Sequence, residues 1–304
     1  MTVVYGTVCL DVTHEVPRLP ERGGYVEARE ARRSLGGEGA NTAVALALWG
    51  VDVVLVSNPI GAGHDADYLA QALEERGVRK TVFSRGTEET PVCHILVTPD
   101  GERTMFGHGF ADMPKTSQPS LAPTRPGGWT TSDMNHGRAA REALNLAHAA
   151  GRDVYALDFV EPDEHLIAGS YWQSSTSWVG TPGKTAANLK WAVDWAERQK
   201  CTAILTDGAD GLCFARPGKK PLHLPAIPTE DVVDSTGAGD VFRAGMLYGL
   251  GLGWPDSKCL LFASAAGALN CQGVGAVGGL QPLDRVLRHM ESSPQIAALY
   301  LDAE

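Results

Sequence analysis

Positions 2–8 (TVVYGTV) are apolar and mostly β-branched, and the first acid beyond them is Asp11, a pattern that predicts a strand ending beside a carboxylate. Residues 13–35 then lose any apolar period and predict a short hairpin standing away from the core. The stretch GGEGANTAVALALWG at 36–50 predicts a Gly-rich turn opening a helix that Gly50 stops. A strand at 51–57, a helix at 65–76 closed by Gly77 and a strand at 78–84 make a crossover unit, which implies parallel pairing.

Residues 91–108 predict a second hairpin around the turn Pro99-Asp100-Gly101. With 13–35 it would form a small separate sheet, because neither stretch fits the alternation of strands and helices around it. Residues 111–135, rich in Pro, Ser, Thr and Gly, predict no element. The rhythm resumes with a helix at 137–150, a strand at 152–159, a helix at 185–200 and a strand at 201–207. After a hairpin at 212–225 come a helix opened by 234–240 and another at 256–272, apolar nearly all round and therefore expected to be buried. The whole pattern is that of an α/β chain with a mostly parallel central sheet.

Composition narrows the function rather than the fold. The 304 residues suffice for one large domain with an appendage. A net charge of -10, with no dense basic run, argues against nucleic acid or an anionic membrane as partner and favours a small metabolite. No stretch approaches the ~18 consecutive apolar residues of a membrane span, and the N-terminus lacks the pattern of a secretion signal, so a cytoplasmic protein is expected. Six dispersed cysteines, with no C-x-x-C, read as reduced core residues.

Three Gly-rich turns are candidates for chemistry. Gly61-Ala62-Gly63-His64-Asp65-Ala66 matches G-x-G-x-x-A, but the next strand ends in Ser84 and Arg85 where a dinucleotide site needs an acid, so a plain strand-to-helix turn is the reading. In Gly36-Gly37-Glu38-Gly39-Ala40-Asn41 the glycines allow close approach of a ligand, and Asn41 offers a donor and an acceptor suited to hydroxyls; a hinge for the small sheet is the alternative. In Asp234-Ser235-Thr236-Gly237-Ala238-Gly239-Asp240 bare N–H groups at a helix start suit an anion, although the P-loop lysine is absent; the alternative is a capped tight turn.

The last two motifs, with Asp11 after the first strand, GER at 101–103 and T-x-G at Thr206 to Gly208, resemble the ribokinase family, also called PfkB-type carbohydrate kinases. The resemblance implies a ribokinase-like three-layer α/β/α sandwich from residues 1–12, 36–89 and 111–304, with 13–35 and 90–110 as a β lid over the acceptor and the contact of a homodimer. It implies ATP-dependent phosphoryl transfer to a sugar hydroxyl. Gly237, Ala238 and Gly239 match the anion hole and Asp240 the general base, which the helix terminus is expected to keep ionised. Asp11, Gly36, Gly37 and Asn41 match the acceptor site. Thr206 and Gly208, with the Gly loop and the region 268–275, match the nucleotide side. Asp234 and Thr236 match a monovalent-cation (K+) site, with Gly275 as a possible further ligand.

One family motif is absent. Where N-x-x-E should organise Mg2+, the best matching stretch, VGTPGKTAAN, offers Gly183 and Ala186, with Lys184 as a substitute phosphate contact or a surface lysine. Arg243 reads as a solvated surface arginine, or as a second positive charge near the phosphates. Arg29, Arg32, Arg33 and Arg103 would serve a phosphorylated acceptor, but an unphosphorylated one is preferred. A nucleoside kinase, with Tyr25, Phe106 and Phe110 in an apolar lid, and a sugar- or nucleotide-binding protein with little catalysis stay open.

Overall fold

A computed structural model describes residues 1–86, 89–110, 126–160 and 165–302. Nine strands form the central sheet: β1 (Thr2–Tyr5), β4 (Val53–Val56), β5 (Lys80–Val82), β8 (Trp129–Asp133), β9 (Asp153–Leu157), β10 (Tyr171–Ser175), β11 (Thr202–Thr206), β12 (Leu212–Ala215) and β13 (Leu222–Leu224). Their order is β13-β12-β11-β10-β9-β8-β1-β4-β5. All pairs are parallel except β11 with β12 and β12 with β13. A separate four-stranded sheet has the order β3-β2-β6-β7, from β2 (Cys9–Glu15), β3 (Glu30–Gly36), β6 (Val92–Val97) and β7 (Arg103–His108).

Alternation along the strands divides the core into two layers. Val4, Tyr155 and Ile204 point into one, against α1 (Glu38–Leu48), α2 (His64–Glu75), α5 (Ala238–Gly251), α6 (Asp256–Asn270), α7 (Leu283–Glu291) and α8 (Pro294–Leu301). Val3, Tyr5, Ala203 and Leu205 point into the other, against α3 (Arg138–Ala149) and α4 (Thr185–Gln199), where Trp172, Trp191 and Trp195 pack ring to ring. Each fully buried large apolar side chain contributes about 1.5–3 kcal/mol. The result is a three-layer α/β/α sandwich, the ribokinase-like fold that the motifs imply.

The small sheet differs in one respect from expectation. The first strand stops at Tyr5 rather than running through 2–8, and Asp11 lies in the middle of β2, in the small sheet, rather than beyond the first strand. Gly6 and Thr7 break the run and let the chain change sheets, and the β2 register then sets Asp11 between Ser34 and Cys93. Strands β8 and β10 fall where no element was expected, because WTTSD and YWQSS are polar in sequence although residues 130–133 are fully buried. Of the irregular stretch 111–135, residues 111–125 lie outside the described residues.

Beyond β1 the strand order runs one way to β4 and the other way to β8. Such a reversal opens a crevice beyond the carboxyl ends of the strands. Thr7, Asn135 and His136, which follow β1 and β8, line a cavity there.

Candidate active site

The cavity, of about 1260 Å3, runs between the two sheets. Asp11, Gly37 and Asn41 line one part of its wall, Gly237 to Asp240 another, and Thr206 and Gly208 a third. The structure thus brings together, on one cavity, residues that the sequence scatters over more than two hundred positions. Gly36 stands behind Asp11: a Cβ there would overlap the Asp11 carboxyl group.

Gly237 adopts a left-handed conformation (φ 74°) as the N-cap of α5, and a Cβ would collide with the Ala276 carbonyl. This turn sets Gly237, Ala238 and Gly239 on the cavity wall, with the Ala238 N–H donating to the Ser235 carbonyl at 3.3 Å. The Gln173 amide donates to Gly239 O at 3.0 Å, and the Tyr155 hydroxyl donates to Gln173 Oε1 at 2.7 Å, so strands β9 and β10 fix the start of the helix.

Asp240 follows within the first turn and is 8% exposed. Asn41 Nδ2 donates to its Oδ2 at 2.8 Å, and Arg243 Nη2 stands 3.9 Å from its Oδ1. Burial nevertheless pushes its pKa up to about 7, against the pull of Arg243 and Asn41 and with the help of Asp133 and Asp158. The expectation that the helix terminus keeps Asp240 a weak, ionised base is therefore corrected: loss of water outweighs the terminal dipole. Asp11, 4% exposed, is likewise pushed up to about 7 by burial, although the Cys9 thiol donates to it at 3.4 Å.

Arg243 is neither solvated nor on the cavity wall. It is wholly buried, with Nη1 on Asp133 Oδ1 at 2.6 Å, Nη2 on the Glu38 carbonyl at 2.7 Å and Nε on Thr42 Oγ1 at 2.9 Å. Asp133 Oδ2 accepts the Thr7 N–H at 2.7 Å, and the Thr42 hydroxyl donates to Asp240 O at 3.2 Å. One guanidinium thus ties β8, α1 and α5 together directly behind Asp240. Its reading as a surface residue failed because the apolar face of α5 is buried all round and the partner acid lies on an unrecognised strand.

On the opposite wall, Asp158 sits at the end of β9 with φ 63°, its Oδ1 accepting the Ser174 hydroxyl at 3.0 Å, and burial pushes its pKa up to about 6. Ser174, Ser175, Ser177 and Trp178, which end β10 and follow it, line the cavity, whereas Gly183, Lys184 and Ala186 do not. The Gly183 N–H is turned to Asp207 instead. Among the described residues no three acids, histidines or cysteines converge to hold a metal ion. The residues present therefore do not reproduce a metal-organising N-x-x-E.

Asp234 is fully buried and accepts the Thr236 and Gly275 N–H groups at 2.9 and 2.8 Å. Thr236 Oγ1, also buried, has no partner, an orphaned oxygen of the kind a monovalent cation uses. Residues 268–275 do not line the cavity. Of the lid arginines only Arg103 lines it, and its Nη1 donates to Ser235 Oγ at 2.8 Å. Arg32 pairs with Glu30 and Glu15, and Arg33 with Asp65, away from the cavity. Phe110 reaches the cavity, Phe106 stacks on His94 and Tyr25 is 80% exposed.

Sequence and fold comparisons identify the family of the chain. The model of the pfkB family carbohydrate kinases matches residues 1–158 and 175–282. An "uncharacterized sugar kinase" of Dictyostelium discoideum is 26% identical over 347 residues, covering 94% of this chain and 96% of the relative. A nucleoside kinase of Methanocaldococcus jannaschii is 26% identical over 302 residues, covering 94% and 95%. Among solved structures, Arabidopsis thaliana ribokinase complexed with ribose and ATP superposes with a TM-score of 0.78 at 24% identity, over 95% of this chain and 98% of that one. With its two glycine motifs converging on one buried aspartate, the chain belongs to the pfkB family of carbohydrate kinases.

Proposed function

We propose that the chain transfers the γ-phosphoryl group of ATP to a hydroxyl of an unphosphorylated sugar or sugar-like molecule. The observation that carries this reading is Asp240, a buried carboxylate hydrogen-bonded to Asn41 within one helical turn of Gly237 and Gly239, the glycines that flank Ala238 at the start of α5 on the cavity wall. An anion hole beside a base is the arrangement that phosphoryl transfer needs, since the reaction depends on positioning and charge stabilisation.

Asp11 and Asn41 hold the acceptor's hydroxyls. The Gly237–Gly239 amides, at the positive end of α5, receive the transferring phosphoryl oxygens. Asp240 takes the proton of the attacking hydroxyl as its oxygen bonds to the γ-phosphorus, the bond from that phosphorus to the β–γ bridging oxygen breaks, and ADP leaves with that electron pair. Thr206 and Gly208 flank the nucleotide. Asp234 and Thr236 would hold a monovalent cation such as K+, whose charge would steady the turn that presents the amides. The small sheet closes over the acceptor and excludes water.

A nucleoside acceptor is the second reading, favoured by Ile95, Met105 and Phe110, which give the small sheet an apolar surface on the cavity. The test is ADP formation from ATP with Mg2+ and K+ across a panel of sugars and nucleosides, for the wild type and Asp240→Asn. Turnover with a member of the panel, reduced ~10²–10⁴-fold in the variant, is expected. Turnover that survives the substitution removes Asp240 as base, and binding without turnover makes the chain a binding protein.

A further inference from the structure

The wall around the two glycine motifs is rich in hydrogen-bond acceptors. Asp11, Glu38 and Asp240 line it, together with Asn41, whose Nδ2 is spent on Asp240. Asn41 Oδ1 has no partner although the residue is only 3% exposed. A buried amide oxygen without a donor costs about 1–3 kcal/mol, so the missing donor belongs to a ligand.

Glu38 adds a further carboxyl group to this wall. It occupies the variable position of GG-x-G-x-N and is the first residue of α1, which brings its carboxylate to the cavity. Asn135 Nδ2 donates to both carboxylate oxygens at 3.1 Å, which holds the group in place without neutralising it. The guanidinium nearest to hand, Arg243, binds the Glu38 carbonyl and pairs with Asp133 instead. Burial and the neighbouring Asp133, Asp158 and Asp240 raise the Glu38 pKa well above the carboxylate range, against the pull of Arg243, and so disfavour its ionised form; an ammonium group placed beside it would restore that form.

Among the lid arginines only Arg103 reaches the cavity, where an anionic acceptor would need one beside its hydroxyl site. Arg32 and Arg33 are paired outside the cavity, and Arg103 is tied to Ser235 on the Gly loop. We propose that the acceptor carries a protonated amine as well as hydroxyls, an amino sugar or aminopolyol, and that Glu38 is the residue that pairs with its ammonium group. This inference rests on the reading of the cavity as a kinase acceptor site. It assigns the acceptor's chemistry to one side chain that the two glycine motifs leave free to vary.

The test uses matched acceptors: glucose, glucosamine, N-acetylglucosamine and glucose 6-phosphate, with the galactose counterparts. Binding by calorimetry and ADP formation with ATP, Mg2+ and K+ are measured on the whole chain. The amine is expected to bind at least about tenfold more tightly than its hydroxyl counterpart, acetylation to remove that advantage and the phosphate to bind worst. Glu38→Gln, checked for folding by thermal melting, should bring the amine-to-hydroxyl ratio towards one. An amine no better than its hydroxyl counterpart in the wild type overturns the proposal without recourse to any variant, as does a panel in which nothing binds. So does a preference that survives in folded Glu38→Gln, or a variant that alters only the Mg2+ dependence. Amines that rank first in binding but release no ADP support the acceptor chemistry while rejecting the kinase reading, so the two failures are separable.

Discussion

Arg243 holds down the pKa of Asp240, and removing its charge is the perturbation that tests the site most directly. With the Asp240 pKa at about 7, the base is half ionised at pH 7 and only about a tenth ionised at pH 6. A base works deprotonated, so kcat should fall as pH drops through 7 and level off above 8. At the observed 3.9 Å separation, opposite unit charges in an effective dielectric of about 20 attract by about 4 kcal/mol, equivalent to about three pH units as a ceiling. Arg243→Met should therefore move the acidic limb of kcat upward by roughly one pH unit or more. The same change strands Asp133, which is wholly buried, and should destabilise the fold by about 3–5 kcal/mol. Arg243→Lys keeps the charge and loses the fork, so its limb should stay close to that of the wild type even where its melting temperature falls. The assay is initial ADP formation at saturating acceptor from pH 5.5 to 9, with melting curves at each pH. A wild-type kcat that is flat down to pH 5.5, or a folded Arg243→Met whose limb coincides with that of the wild type, refutes the reasoning.

Gly36→Ala places a methyl group on the Asp11 carboxyl and should raise the acceptor KM about tenfold or more while changing kcat less; an unchanged KM would separate Asp11 from acceptor binding. Arg103→Ala cuts the tie between the small sheet and Ser235, so amide exchange in 98–108 should quicken and kcat/KM should drop several-fold, and neither should happen if the two parts are uncoupled. Gln173→Leu removes the donor to Gly239 O and should lower kcat more than it changes KM, at a stability cost of about 1–3 kcal/mol read from thermal or denaturant melts.

The readable part of the chain is the part where local chemistry and tertiary role coincide. Gly237 must be glycine both for its left-handed turn and because Ala276 O leaves no room for a Cβ, and Asn41 must be polar because it faces a cavity; both requirements surface as short motifs. The hydrophobic period located α1 to α6 to within a few residues, whereas α7 and α8, beyond 272, had no counterpart in the sequence reading. Strands β8 and β10 were hidden because WTTSD and YWQSS carry polar side chains into a largely buried sheet, where partners such as those of Asp133 and Gln173 are distant in sequence. Asp133 illustrates the loss: it looks like a loop acid until Thr7 and Arg243, more than a hundred positions away on either side, are folded onto it. Asp158 and Glu38 were missed as cavity acids for a different reason, since an isolated carboxylate beside a loop carries no local pattern at all.

The carboxylate that follows the Gly loop poses an electrostatic problem that the fold resolves from behind. Facing the cavity, Asp240 opposes any phosphate held by Gly237 to Gly239, and Asp158 and Glu38 on the neighbouring walls add to that opposition. A lysine placed in the cavity would neutralise them but would also compete with the acceptor hydroxyl for Asp240. Arg243 avoids the conflict because its three donor nitrogens are fixed on Asp133, the Glu38 main-chain carbonyl and Thr42, while its charge still reaches Asp240 at 3.9 Å from off the cavity wall. The cation that favours the ionised base is therefore separate from the surface that binds the acceptor, and of the groups that favour that form only Asn41 also belongs to the surface. A substitution of Arg243 should alter the pH at which the site works before it alters what the site accepts, and a Glu38 substitution should do the reverse.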